Sequence, residues 1–210
     1  MRTRVKICGI TRPQDAELAT TLGADAIGLV FHPRSPRYLE LDAAREIAER
    51  IAPFVTVVGL FLDPEPGLVE RVLDRVPLQL LQFHGDEQPS DCERWGLPYI
   101  KAIPMAGGVD VLGYAATYPT ARGVLLDAHG VGEQGGSGQT FDWDRIPTEL
   151  ERAVILAGGL TAQNVYAAIR RVRPYAVDVS SGVEADKGVK DADKMAAFMN
   201  EVHRVSCERQ

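Results

Sequence analysis

The chain has 210 residues, 45% of them hydrophobic and 25% charged, enough apolar material for one sizeable core under an ordinary charged surface. Its formal net charge of -6 offers no global basic field, so nucleic acid and anionic membrane are not expected partners. The apolar runs are short and broken by Asp, Arg or Pro, which excludes a transmembrane helix.

Strand-like and helix-like segments alternate from end to end. Residues 4–8 read as a strand and 13–22 as a helix. Residues 24–31 form the next strand, followed by a helix around 42–48 with apolar residues at i, i+3 and i+4. A strand over 54–62 precedes a helix over 65–75, opened by Pro64 and Pro66. The next pairs are strand 78–83 with helix 90–95, and strand 99–103 with helix 109–117. Strand 123–127 leads into a long glycine-rich loop and a short helix near 142–146. Strand 153–157 with helix 161–172, and strand 175–179 with helix 192–205, complete the series.

Continuous apolar strands joined by helices imply a parallel sheet covered on its faces. Eight such units in this length favour one closed (β/α)₈ TIM barrel domain over residues 1–210, with a doubly wound open sheet as the alternative. The three cysteines, Cys8, Cys92 and Cys207, cannot all pair within one chain. None has CxxC spacing and no His/Cys cluster has zinc-ligand spacing, so no metal is expected. Reduced thiols, and an N-terminus running straight into the first strand, point to a cytoplasmic protein without a signal peptide. Cys92 and Cys207 read as structural.

The chemistry-bearing residues fall at strand tips. Cys8 closes the run Val5-Lys6-Ile7-Cys8 and is followed by Gly9. Asp127 closes Gly123-Val124-Leu125-Leu126-Asp127. A soft base and a carboxylic acid on two strand tips suit proton transfer on a small molecule. Lys6 has the side-chain parity of Cys8 and is expected to favour its thiolate. Gly158-Gly159 follow the seventh strand and Ser180-Ser181-Gly182 the eighth. These read either as a phosphate cradle, the frequent use of those two loops in barrels, or as two tight turns.

Gly135 to Phe141, including Gly136 and Ser137, read either as a lid or as a plain surface loop. The segment Phe31 to Tyr38 carries Arg34 and Arg37, and an arginine fork there suits a carboxylate. His84 either meets the ligand or caps its loop. Asp178 either anchors the site or belongs to a core polar network. Lys101 in the fifth strand raises the possibility of a Schiff base, which no other feature supports.

Taken in order, Lys6-Ile7-Cys8-Gly9-Ile10-Thr11, Ser35-Pro36-Arg37-Tyr38, Gln82-Phe83-His84-Gly85, Leu125-Leu126-Asp127, Gly135 to Trp143, Leu156-Ala157-Gly158-Gly159-Leu160 and Val177 to Glu184 resemble the phosphoribosylanthranilate isomerases of tryptophan biosynthesis. The likeness covers nearly the whole chain. It implies a single (β/α)₈ barrel and a cofactor-free Amadori rearrangement of N-(5-phosphoribosyl)anthranilate. Through the resemblance, Cys8 takes the role of general base and Asp127 of general acid. Arg37 holds the substrate carboxylate, and Gly158, Gly159, Ser180, Ser181 and Gly182 face the phosphate. The small phosphosugar is the expected partner, and family members occur as monomers and dimers. A sugar-phosphate-binding barrel without catalysis, and a histidine-pathway isomerase with two aspartates, are the competing readings; the Cys8/Asp127 pair disfavours both.

Overall fold

The computed structural model describes residues 2–129 and 140–207. Eight parallel strands close a barrel in sequence order: β1 Arg4–Cys8, β2 Ala26–Val30, β3 Thr56–Phe61, β4 Leu80–Phe83, β5 Tyr99–Pro104, β6 Gly123–Asp127, β7 Ala153–Leu156 and β8 Ala176–Val179. The open-sheet alternative is thereby excluded, because β8 pairs back onto β1 with Lys6 opposite Asp178. The helices are α1 Pro13–Thr21, α2 Leu41–Glu49, α3 Leu68–Leu73, α4 Pro89–Glu93, α5 Val111–Ala116, α6 Val165–Val172 and α7 Ala192–Cys207. Between β6 and β7 stands a 3-10 turn, Trp143–Arg145, capped by Asp142 Oδ1, which accepts from the Asp144 N–H at 3.0 Å.

Several elements are shorter than the apolar runs suggest. Strand hydrogen bonding starts only where two neighbours run side by side, so residues such as Ala24, Leu78 and Tyr175 serve as lead-in. The sequence reading missed one feature: after a 3-10 turn at Ser181–Val183, a small antiparallel hairpin forms from β9 Glu184–Asp186 and β10 Val189–Lys190. It is too short and too polar to show strand periodicity.

Alternation along the strands builds two cores. Outward residues such as Ile7, Ile27, Leu29, Val57 and Leu81 pack against helix residues such as Ala16, Ile47, Val69 and Phe198. Phe31, Phe61, Phe83 and Tyr99 continue this layer as a row of rings, with successive centroids 5.4, 5.9 and 6.0 Å apart. The row locks the register of β2 to β5. Inward residues Ile100, Ala102, Leu125, Ile155 and Ala176 fill the lumen. The polar inward residues come later on their strands, so they collect at the carboxyl-terminal mouth.

Candidate active site

Cys8, Arg37, His84, Asp127, Asp178 and Ser180 are among the side chains that line one cleft at that mouth. Cys8 and Asp127 end β1 and β6 and are both buried. A larger cavity, about 720 Å³, opens at the opposite face between Arg2, Trp143, Arg152 and Tyr175. Three of its four arginines are engaged, Arg2 by Asp25, Arg171 by Asp144, and Arg152 by the carbonyls of Tyr118 and Ala121. It contains no thiol, so the smaller cleft, which holds Cys8 and Asp127, is the candidate site.

Lys6 lies one layer beneath Cys8, and its Nζ donates to Asp178 Oδ1 at 2.8 Å. Burial works against the Lys6 charge, but Asp178 and Cys8 outweigh it and hold the ammonium above its ordinary value. Lys6 favours the Cys8 thiolate as expected, but it does not set the net direction. Burial pushes the thiol up; Lys6 pulls it down, but Asp178 opposes that pull, and the net direction is upward. The ammonium is shared with a carboxylate, so its field at sulfur is partly cancelled. Asp178 thus lines the cleft and at the same time belongs to a buried polar pair.

Asp127 sits between two imidazoles. Its Oδ1 accepts from the Ala128 N–H at 2.7 Å. Its Oδ2 lies 3.3 Å from His84 Nε2 and 3.3 Å from His129 Nδ1. Both nitrogens are close enough for charge to act yet off the line of a hydrogen bond, and neither has a hydrogen-bond partner among the described residues. Burial raises the Asp127 carboxyl, but the two histidines outweigh burial and hold it well below the ordinary carboxylate range. The free protein therefore keeps this group ionised. His84 is oriented from behind by Gln82, whose Nε2 donates to Nδ1 at 3.0 Å, and its ring stacks on His129 with centroids 4.4 Å apart. His84 thus lines the cleft beside Asp127.

Arg37 reaches the cleft as a fixed fork. Its Nε donates to Glu184 Oε1 and its Nη2 to Glu184 Oε2, both at 2.8 Å. Lys190 Nζ donates to the same Glu184 Oε1 at 2.8 Å and to the Ser180 carbonyl at 3.2 Å. Burial raises Glu184, but Arg37 and Lys190 prevail and hold it below its ordinary value. The hairpin β9–β10 is what brings Glu184 and Lys190 face to face.

The loops after β7 and β8 touch each other. A methyl group on Gly182 would lie 1.9 Å from the Leu160 carbonyl oxygen, so only glycine permits the approach. Gly158 has φ +78, and a Cβ there would lie 2.6 Å from the Ala128 nitrogen and 3.0 Å from Asp127 Oδ1. Asn164 pins this loop by accepting from the Thr161 N–H and donating to the Gly159 carbonyl. Ser180 faces the cleft directly, with Ser181 and Gly182 in the 3-10 turn behind it. Gly136 and Ser137 lie outside the described residues.

Lys101 alternates outward from the barrel. Its Nζ donates to the Gly85 carbonyl at 2.5 Å, lies 3.3 Å from Glu87 Oε2 and sits over the Tyr114 and Tyr118 rings. It does not line the cleft, which removes the Schiff-base alternative. Cys92 is buried, where burial first of all pushes its thiol up to about 12, and Cys207 is exposed on α7. The sequence reading missed His129, Gln82 and Lys190 as site residues, and quoted Glu184 without a role. His129 carried one usable signal, its place two residues beyond Asp127. Glu184 carried none, since its partner Arg37 is 147 residues away, and Lys190 joins the site only through Glu184 and Ser180.

Residues 5–201 match a family model described as N-(5'phosphoribosyl)anthranilate (PRA) isomerase. The N-(5'-phosphoribosyl)anthranilate isomerase of Nitrosococcus oceani is 57% identical over 206 residues, covering 98% of this chain and 100% of that one. The crystal structure of the phosphoribosyl anthranilate isomerase from Thermus thermophilus has 42% identity and a TM-score of 0.87, covering 97% of this chain and 100% of that one. A further phosphoribosyl anthranilate isomerase structure contains reduced 1-(o-carboxyphenylamino)-1-deoxyribulose 5-phosphate. It is 38% identical with a TM-score of 0.81, and covers 96% of this chain and 99% of that chain.

Proposed function

The chain belongs to the N-(5'-phosphoribosyl)anthranilate isomerase family, and from that premise we propose which of its groups carry the reaction. The enzyme is an aldose–ketose isomerase of tryptophan biosynthesis, and its ligand is a phosphosugar. It converts N-(5-phosphoribosyl)anthranilate into 1-(2-carboxyphenylamino)-1-deoxyribulose 5-phosphate by an Amadori rearrangement.

Asp127 is the general acid. It gives a proton to the ribose ring oxygen as the bond from that oxygen to the anomeric carbon breaks, leaving an imine cation. Cys8, as thiolate, takes the proton from the neighbouring carbon. The resulting enolamine tautomerises to the ketone, and the overall change is an isomerisation with no net loss of atoms. The free carboxyl is held ionised, so the acid proton enters when substrate does. Two incoming anionic ends, phosphate and carboxylate, raise the proton affinity of the cleft.

The observation that carries this reading is that Cys8 and Asp127, from the first and sixth strands, open onto one cleft. Arg37 takes the substrate carboxylate with the N–H groups that Glu184 leaves unused. The loops at Gly158-Gly159 and Ser180-Ser181-Gly182 take the phosphate. Clamping both ends holds the reacting carbons between acid and base. All these residues belong to one polypeptide, so the reaction runs equally in a monomer or a homodimer. Three free thiols suit the reducing cytoplasm as the working compartment.

The test follows the fluorescence of freshly formed substrate on mixing with the protein. Turnover is expected for the native chain, and Cys8→Ala and Asp127→Asn each reduce kcat by about 10²–10⁴-fold. Near-native turnover in either folded variant rejects the assigned role.

A further inference from the structure

Asp127 and the two imidazoles beside its Oδ2 satisfy a second kind of chemistry. His84 and His129 are only 8% and 4% exposed, yet Nε2 of one and Nδ1 of the other have no hydrogen-bond partner among the described residues. These two nitrogens and a carboxylate oxygen of Asp127 lie within 4.8 Å of one another. A tetrahedral ion with bonds of about 2.0–2.1 Å separates its ligand atoms by about 3.3–3.4 Å. The two N···O separations from Oδ2, each 3.3 Å, already have that spacing.

Gln82 supplies what a ligating imidazole needs behind it. A neutral His84 that offers Nε2 to an ion carries its proton on Nδ1, and that N–H needs an acceptor. Gln82 Nε2 now occupies that place at 3.0 Å, while Gln82 Oε1 is itself buried and without a partner. A half-turn of the amide brings Oε1 to Nδ1. The unpartnered atoms in this region are therefore the ones a metal centre would use.

We infer that His84, Asp127 and His129 form a site for a divalent transition ion of the zinc type, with a fourth position left for water. Two imidazoles and one carboxylate suit zinc or cobalt, and disfavour magnesium or calcium, which seek oxygen ligands. The ion inhibits the isomerase, because a carboxylate committed to a metal carries no proton to the sugar. That consequence rests on the reading of Asp127 as the acid; the ion site itself does not.

The experiment titrates cobalt into the metal-free full chain and reads visible absorption, with turnover measured separately on the same samples. One cobalt per chain with the intense bands of a four-coordinate ion, displaced by zinc, is the expected result. His129→Gln and His84→Gln each weaken binding by at least about tenfold, while Cys8→Ser and Cys207→Ser leave it unchanged. Absence of binding overturns the site, and so does binding that survives His129→Gln but vanishes with either serine variant. Full occupancy with undiminished turnover upholds the site and overturns the acid role of Asp127 instead.

Discussion

Arg37 and Glu184 face each other through two parallel hydrogen bonds of 2.8 Å, and Lys190 adds a third to the same carboxylate. One buried anion thus holds two buried cations at the rim of the cleft. Removing the anion leaves like charges confronting one another; removing one cation leaves a pair intact.

The two ends of this bridge are therefore expected to behave differently. Glu184→Ala costs about 3–5 kcal/mol of stability, the range for leaving buried charge uncompensated. Arg37→Ala costs clearly less, because Lys190 still pairs with Glu184, but it raises KM more than it lowers kcat. Urea unfolding followed by circular dichroism gives the stability order, and the reverse order counts against the network as described.

Beyond burial, Lys6 and Asp178 act on the Cys8 thiol in opposite directions. In the proposed mechanism Cys8 acts as thiolate, so kcat/KM is expected to rise with pH toward the Cys8 pKa, which burial pushes above the ordinary 9.0. Asp178→Asn removes the negative charge and leaves Lys6 to favour thiolate. The rising limb then moves to lower pH by roughly one unit. A pH–rate profile that stays in place, or moves upward, shows that Lys6 does not communicate with the sulfur.

Acid should unfold the protein through the mouth of the barrel. Glu184 and Asp127 both titrate below their ordinary values of 4.5 and 3.8 when folded. Their contribution is fully present above those ordinary values and is lost as pH falls through the folded ones. The urea midpoint should therefore drop below about pH 4.5, and Glu184→Gln should flatten that drop while lowering stability at pH 7. An unchanged acid slope in that variant would remove Glu184 from the explanation.

Gly182 joins the two loops assigned to phosphate. Its substitution by Ala places a methyl group against the Leu160 carbonyl and separates the loops. A loss of about 1–3 kcal/mol in stability is expected, together with weaker binding of inorganic phosphate measured by calorimetry. Native phosphate affinity in a destabilised Gly182→Ala chain would place the phosphate elsewhere.

By itself, the sequence determined the alternation of strands and helices, the barrel count, and the strand-tip positions of Cys8 and Asp127. Those are local properties: hydrophobic period, turn residues and the end of an apolar run are written in consecutive residues. The tertiary structure alone decided which charges meet. Lys6 reaches Asp178 across 172 residues and Arg37 reaches Glu184 across 147, and His84 meets His129 because β4 and β6 flank β5 in a parallel sheet, with their carboxyl ends at the same mouth. The acidity of a thiol or a carboxyl depends on such neighbours and on burial, which linear spacing does not encode. For that reason the strand-tip candidates Cys8 and Asp127 could be named from the sequence, whereas the place of His129, the upward push on Cys8 and the ionised state of Asp127 could not.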